Sequence, residues 1–139
     1  MGDESEFPAK YVSDKQLIGL TVLDSKGNDC GKIKFLCLDP NTYSLSGVMI
    51  KKRSSRQYFL SSTYFKNVTS MYLQLNSIPI KPGDKVIGVD GKSVGKVIRI
   101  NLHFETNRIK SLEIRSRFKS KIILADKIVG VGEQITIRV

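Results

Sequence analysis

Apolar residues along this chain come in short runs that alternate with polar neighbours, at a period of two rather than of three to four. "LIGLTVLD" (17–24) and "DKVIGVD" (84–90) are β-branched runs ending at Asp, and "GKIKFLCLD" (31–39) and "GKVIRINLHF" (95–104) follow almost at once. Each pair predicts a β-hairpin, with Gly27 and Gly91 supplying the positive φ of the turn and Gly31 and Gly95 a bulge where the next strand begins. "LSGVMIKK" (45–52) and "IKSLEIRS" (109–116) predict the returning strands. "RQYFLSS" (56–62) and "SKIILAD" (120–126) predict a fourth strand in each half, with a last one closing each. No segment keeps a helical apolar stripe, so little α-helix is expected.

The pattern is written twice. Sliding the chain by 64 places puts Gly31 on Gly95, Lys32 on Lys96, Leu38 on Leu102, Thr42 on Thr106 and Ile50 on Ile114. The same shift carries Tyr58–Leu60 onto Ile122–Leu124 and Met71–Leu75 onto Ile135–Val139, while two residues must be dropped before Gly27 and Gly91 for Asp24 to meet Asp90. A duplicated chain follows: an acidic and flexible segment 1–14, one unit over 15–76 and another over 79–139, joined by "NSIPIKPGD" as a stiff connector. Five or six short strands in so few residues are too few for a sandwich and favour a small closed or partly closed barrel, packed against its copy as a pseudo-twofold pair.

Comparing the two copies sorts interior from surface. Leu20/Val86, Ile33/Val97, Leu36/Ile100, Leu38/Leu102, Val48/Leu112, Ile50/Ile114, Phe59/Ile123, Leu60/Leu124 and Leu73/Ile137 are apolar in both and predict a shared interior. Phe35, Cys37, Met49 and Tyr72 are apolar only in the first copy, where the second has Arg99, Asn101, Glu113 and Thr136. These four form a candidate partner surface, for a second protein or a second copy of this chain, unless they pack against the second half.

The stretches "LIGLTVLDSKGNDCGKIKFLCLDPNTYSLSGVMI" and "KVIGVDGKSVGKVIRINLHFETNRIKSLEI" resemble the PRC-barrel domain. That family includes the cytoplasmic part of the photosynthetic reaction-centre H subunit, the C-terminal domain of the ribosome-maturation factor RimM and small stand-alone archaeal proteins. The resemblance implies an all-β fold of two small PRC-type β-barrels in tandem. It also implies a binding module without shared catalytic residues. The stand-alone archaeal type implies an adaptor in cell division, attached to the SepF anchor of the FtsZ ring.

Charge adds a second candidate. The net charge is +10 and both halves are basic, which favours acidic partners: RNA, an anionic membrane surface or an acidic or cytoskeletal protein segment. The connection after the third strand carries Lys51, Lys52, Arg53 and Arg56 in one copy and Arg115, Arg117, Lys119 and Lys121 in the other. On an extended ribbon the second set would share one side and track a phosphate backbone, with Tyr58 or Phe118 to stack on bases. The same cations also suit a solvated hairpin that resists edge pairing. RNA binding linked to the ribosome or its maturation is therefore the alternative function.

Other chemistry is sparse. One histidine and two cysteines are too few soft ligands for a structural zinc site, and no cofactor is expected. "GNDCGK" and "GKSVGK" are not phosphate loops of the Walker type, since Lys32 and Lys96 precede Ile33 and Val97 and open strands. No nucleophile, base and orienting group stand together, so the chain reads as a non-enzyme. The sequence has no run long and apolar enough for a membrane span and begins without a secretory signal, which predicts a cytoplasmic protein.

Overall fold

A turn of the same backbone build, closed by Gly27 N to Asp24 O in one half and by Gly91 N to Gly88 O in the other, sets up each half with an Asp at a different position. In the first, Asp24 Oδ1 accepts from the amides of Lys26 and Asn28 at 2.8 and 3.0 Å, and Gly27 takes φ 82°. In the second, Asp90 Oδ1 accepts from Lys92 N at 3.0 Å and Gly91 takes φ 83°. A computed structural model describes residues 11–117 and 119–138. Most of the acidic N-terminal segment, Phe118 and Val139 lie outside the described residues.

A single turn of helix, α1 (Asp14–Leu17), opens the described chain, closed by a capping box in which Ser13 and Gln16 satisfy each other's amides. Twelve strands follow: β1 (Thr21–Leu23), β2 (Asp29–Leu38), β3 (Leu45–Lys51), β4 (Tyr58–Ser61), β5 (Phe65–Val68) and β6 (Tyr72–Leu75), then β7 (Lys85–Gly88), β8 (Ser93–Leu102), β9 (Ile109–Arg115), β10 (Ser120–Leu124), β11 (Ile128–Val131) and β12 (Gln134–Ile137). They form two six-stranded sheets of matching order, β4-β3-β2-β1-β6-β5 and β10-β9-β8-β7-β12-β11. In each the first and last strands of the chain order, β1 with β6 and β7 with β12, run parallel, one strand in from the β5 or β11 edge.

The sheets are open rather than closed barrels, because β4 and β5, like β10 and β11, stand at opposite edges without pairing among the described residues. Yet they must curl. Ser61 and Phe65 end and begin edge strands and are linked only by the 3-10 turn Ser62–Tyr64, a reach of at most ~14 Å, whereas six flat strands would span about 24 Å. The inner face of each curled sheet makes its own core. Val22, Ile33, Val48, Ile50, Leu60, Leu73 and Leu75 fill the first with Leu17 and Leu20; Val86, Val97, Leu112, Ile114, Ile135 and Ile137 fill the second with Ile80. Each such side chain contributes about 1.5–3 kcal/mol by leaving water.

The sheet register revises the duplication. Gly19 N donates to Ile33 O and Gly83 N to Val97 O, and Ile33 N donates to Leu20 O and Val97 N to Asp84 O. The 64-residue shift therefore holds from Gly19 through Lys51 with nothing dropped at the first turn, and Asp24 corresponds to Gly88, not Asp90. Beyond Lys51 it fails. Ile50 pairs with Tyr58, but its counterpart Ile114 pairs with Lys121, so the second half is one residue shorter in that connection. Val68 pairs with Leu73 and Val131 with Ile135, so a second residue is missing in the β11–β12 turn.

A slip of one residue flips a strand's faces. Ile123, not Leu124, is the partner of Leu112 and the counterpart of Leu60. Leu60 is 2% exposed; Leu124 is 56% exposed and Ile122 55%, which removes Leu124 from the interior. Leu38, at the end of β2, is also exposed, and Phe59 turns to the outer face opposite Met49. The counterparts of Leu73 and Tyr72 are Ile135 and Gln134.

Candidate binding surfaces

Outward-facing rows on the sheets, one apolar and one cationic, gather half of the side chains singled out by sequence. The first is apolar. Phe35 on β2 pairs with Met49 on β3, and Met49 pairs with Phe59 on β4. Because Val48 and Ile50 are fully buried, the residue between them faces outward, and its cross-strand partners face outward with it. Cys37, two residues beyond Phe35, projects on the same face opposite Gly47. The absence of a side chain at Gly47 lets the Phe59 ring lie over it, since a Cβ there would come within 2.7 Å of Phe59 Cζ and 2.2 Å of Leu60 O. Phe35 remains 45% exposed, so the second half does not cover that end of the strip, whereas Phe59 lines a hollow together with Ile80, Ile100 and Ile109 of the second half. Burial pushes the Cys37 thiol up, which keeps it an apolar neighbour rather than a reactive thiolate.

Tyr72 does not belong to that strip. It pairs with Thr21 on β1, Thr21 with Lys32 on β2, and Lys32 with Lys51 on β3, forming a second, cationic row across four strands. Phe59 is the member that comparison of the copies missed, because the register slip hid its outward direction behind an apolar match.

The cationic row recurs on the second sheet. Gln134, Lys85, Lys96 and Arg115 pair in turn across β12, β7, β8 and β9, and Arg115 pairs with Ser120 on β10, whose hydroxyl oxygen lies 3.4 Å from Arg115 Nε. Each row borders a hollow. One, of about 630 Å³, is lined by Asp29, Lys32, Lys34, Lys51, Lys52, Arg53 and Gln57 beside Gly31. The other, of about 530 Å³, is lined by Lys85, Ser93, Lys96, Arg115, Ser116, Arg117 and Gln134 beside Gly95. These glycines bring the backbones together: a Cβ on Gly31 would stand 2.9 Å from Lys51 O, and one on Gly95 2.6 Å from Arg115 O. Lys32, Lys51, Lys85, Lys96 and Arg115 take part in no ion pair among the described residues. Like charges directly opposite on neighbouring strands destabilise a sheet, by roughly the 0.2–1 kcal/mol that an opposite pair contributes.

The basic connections themselves are not ribbons. Ser116 N donates to Lys119 O at 2.9 Å, so the chain turns back between these two residues, with Arg117 just after Ser116. Lys121 pairs with Ile114 and so lies on the opposite face of the sheet from Arg115. The four cations of the second copy therefore do not share one side. In the first copy Lys52 Nζ donates to Asp29 O at 3.0 Å and Arg53 turns with φ 51°, while Arg56 lies in the exposed approach to β4. Tyr58 is unavailable for stacking: it is buried and its hydroxyl donates to Cys30 O at 2.9 Å. Phe118 lies outside the described residues.

Among the described residues no group of three His, Cys, Asp or Glu could hold a metal, and no helix is long and apolar enough to cross a membrane. Burial holds the Cys30 thiol up at about 11, and burial likewise raises the Tyr58 hydroxyl. Asp84 is raised by burial against the opposing pull of Lys81, whose Nζ lies 3.5 Å away.

A curled six-stranded sheet used twice, with its distinguishing side chains on the outer faces, defines an all-β protein whose surfaces are suited to contact. A PRC-barrel domain is found at residues 83–135, where the model of that family matches. The match spans the second sheet from the Gly83 turn to Ile135 in β12. No curated protein matches the chain.

Proposed function

We propose that this chain is a non-catalytic adaptor that holds a protein partner on the outer face of its first sheet. The observation that carries the reading is the Phe35–Met49–Phe59 strip, apolar and partly exposed, at a place where the second sheet carries Arg99 and Glu113. Phe35 and Met49, replaced by charge on the counterpart sheet while Phe59 is matched there by Ile122, are suited to one-sided association. The first sheet, with the strand order of the PRC-matched second, is read as a PRC-type unit in tandem with it. The setting we favour is an archaeal cell-division assembly linked to SepF and FtsZ, on the resemblance to stand-alone archaeal members alone.

A photo-reactive residue at Phe35 should cross-link a protein partner in cells that carry the chain natively. Phe35→Glu and Met49→Glu should each lose that partner in affinity purification while keeping the wild-type thermal transition. Recovery of ribosomal subunits in place of a protein partner, or recovery of the partner undiminished by both substitutions, would overturn the reading.

A further inference from the structure

The cationic rows have a feature that stability does not explain. Lys85, Lys96 and Arg115 face one another across three neighbouring strands, and Lys32 faces Lys51 at the corresponding place on the first sheet. Adjacent strands are about 4.8 Å apart, so neighbouring side chains of each row start about 5 Å from each other and Lys85 starts about 10 Å from Arg115. Among the described residues none is paired with an acid. We propose that the two hollows beside Gly31 and Gly95 bind the phosphates of single-stranded RNA.

The ligand class follows from the spacing. Cations held this close are best neutralised by an anion that presents several oxygens from one centre, as a phosphate does, and carboxylates scattered along a protein segment do so less well. Tyr72 favours a nucleic acid over a bare polyphosphate. Its partly exposed ring lies in the same row as Lys32, two strands away at about 10 Å, which places a flat aromatic surface beside a phosphate site. On the second sheet Gln134 takes that place and offers an amide instead. A base can reach an aromatic face only when unpaired, so the strand is single. The inference is independent of the apolar strip, which lies further along β2 and β3.

The test is fluorescence anisotropy of a labelled oligouridylate RNA with the full chain over a salt series. Binding should weaken steeply with salt. Lys96→Gln combined with Arg115→Gln should weaken it at least about tenfold and lower the magnitude of the salt slope by about 1–2. Lys32→Gln with Lys51→Gln should do the same, and Tyr72→Leu should weaken binding while leaving the slope unchanged. Because the substitutions relieve like-charge repulsion, the Tm of each double variant should match or exceed that of the wild type at low salt, which separates lost binding from lost fold. Affinity of both double variants within twofold of wild type would overturn the proposal, as would a lower Tm in those variants, or binding to anionic phospholipid vesicles without binding to the oligonucleotide.

Discussion

Arg99 and Glu113 face each other across β8 and β9, Nη1 to Oε2 at 3.9 Å, at the place where Phe35 and Met49 face each other across β2 and β3. The same exchange occurs near the start of each half. Leu17 and Leu20 close the first core, and the turn amide of Leu20 donates to Leu17 O; in the second half Asp84 N donates to Lys81 O, and the two side chains pair at 3.5 Å. Each local contact is kept, but an apolar pair in one half is an ion pair in the other. The duplicated sheet has thereby kept its backbone while its two outer faces offer different chemistry.

That exchange can be run backwards. Phe35→Arg with Met49→Glu would give the first sheet the pair that the second already carries in the same register. The double variant should fold, and the coupling between the two positions should be about 0.2–1 kcal/mol in a double-mutant cycle by urea unfolding, shrinking with added salt. Partner binding should be lost. A double variant less stable than the sum of its two single variants would contradict the equivalence of the two sites.

Five of the six strands of each half and the turns were legible in the sequence because both rest on short-range signals, alternation for the strands and Asp and Gly for Asp24–Gly27 and Asp90–Gly91, whereas β5 (Phe65–Val68) and β11 (Ile128–Val131) were not located. Phe35 and Met49 were legible as members of one apolar surface because the repeat stays in phase from Gly19 to Lys51, and the register makes them cross-strand partners. What was hidden depends on single-residue length changes in loops, which leave a convincing apolar match on the wrong face. Tyr58–Leu60 and Ile122–Leu124 look alike, yet Lys121 is what pairs with Ile114. The cationic rows were hidden for another reason. Lys85, Lys96 and Arg115 are far apart in sequence and meet only through pairing across strands.

The slip makes a sharp prediction. Leu60→Ala removes a side chain that is 2% exposed and should cost about 2–5 kcal/mol, whereas Leu124→Ala, at 56% exposed, should change stability by no more than about 0.5 kcal/mol. Ile123→Ala should fall between them, since Ile123 is partly buried opposite Leu112. Equal losses at Leu60 and Leu124 in urea unfolding would restore the uninterrupted 64-residue alignment.

The glycines of the two turns should separate by what surrounds them. Gly31 has φ 122° with Lys51 O 2.9 Å from a would-be Cβ, and Gly95 has φ 152° with Arg115 O at 2.6 Å. Alanine at either meets backbone that cannot swing aside, and should cost about 1–3 kcal/mol in conformational strain with a similar amount from the clash. Gly27 and Gly91 also have positive φ, but nothing lies within 4 Å of a would-be Cβ. Their alanine variants should lose only about 1–2 kcal/mol. Denaturation midpoints of the four variants would rank them directly.

Tyr58 and Cys30 form a buried polar contact that the second half does not repeat, since the counterpart of Tyr58 is Lys121. Removing the hydroxyl in Tyr58→Phe takes the donor from the Cys30 carbonyl and should cost about 1–3 kcal/mol. The pair also sets an alkaline limit. Burial raises the Cys30 thiol from 9.0 to about 11, so the folded state holds its proton more tightly than the unfolded chain does. The stability this provides is complete below pH 9 and is lost as pH rises through about 11; the raised Tyr58 hydroxyl acts in the same direction at higher pH. Urea unfolding between about pH 8 and about pH 10.5 should show stability falling for the wild type and falling less for Cys30→Ala. Parallel losses in the two proteins would show that the Cys30 thiol does not drive the decline.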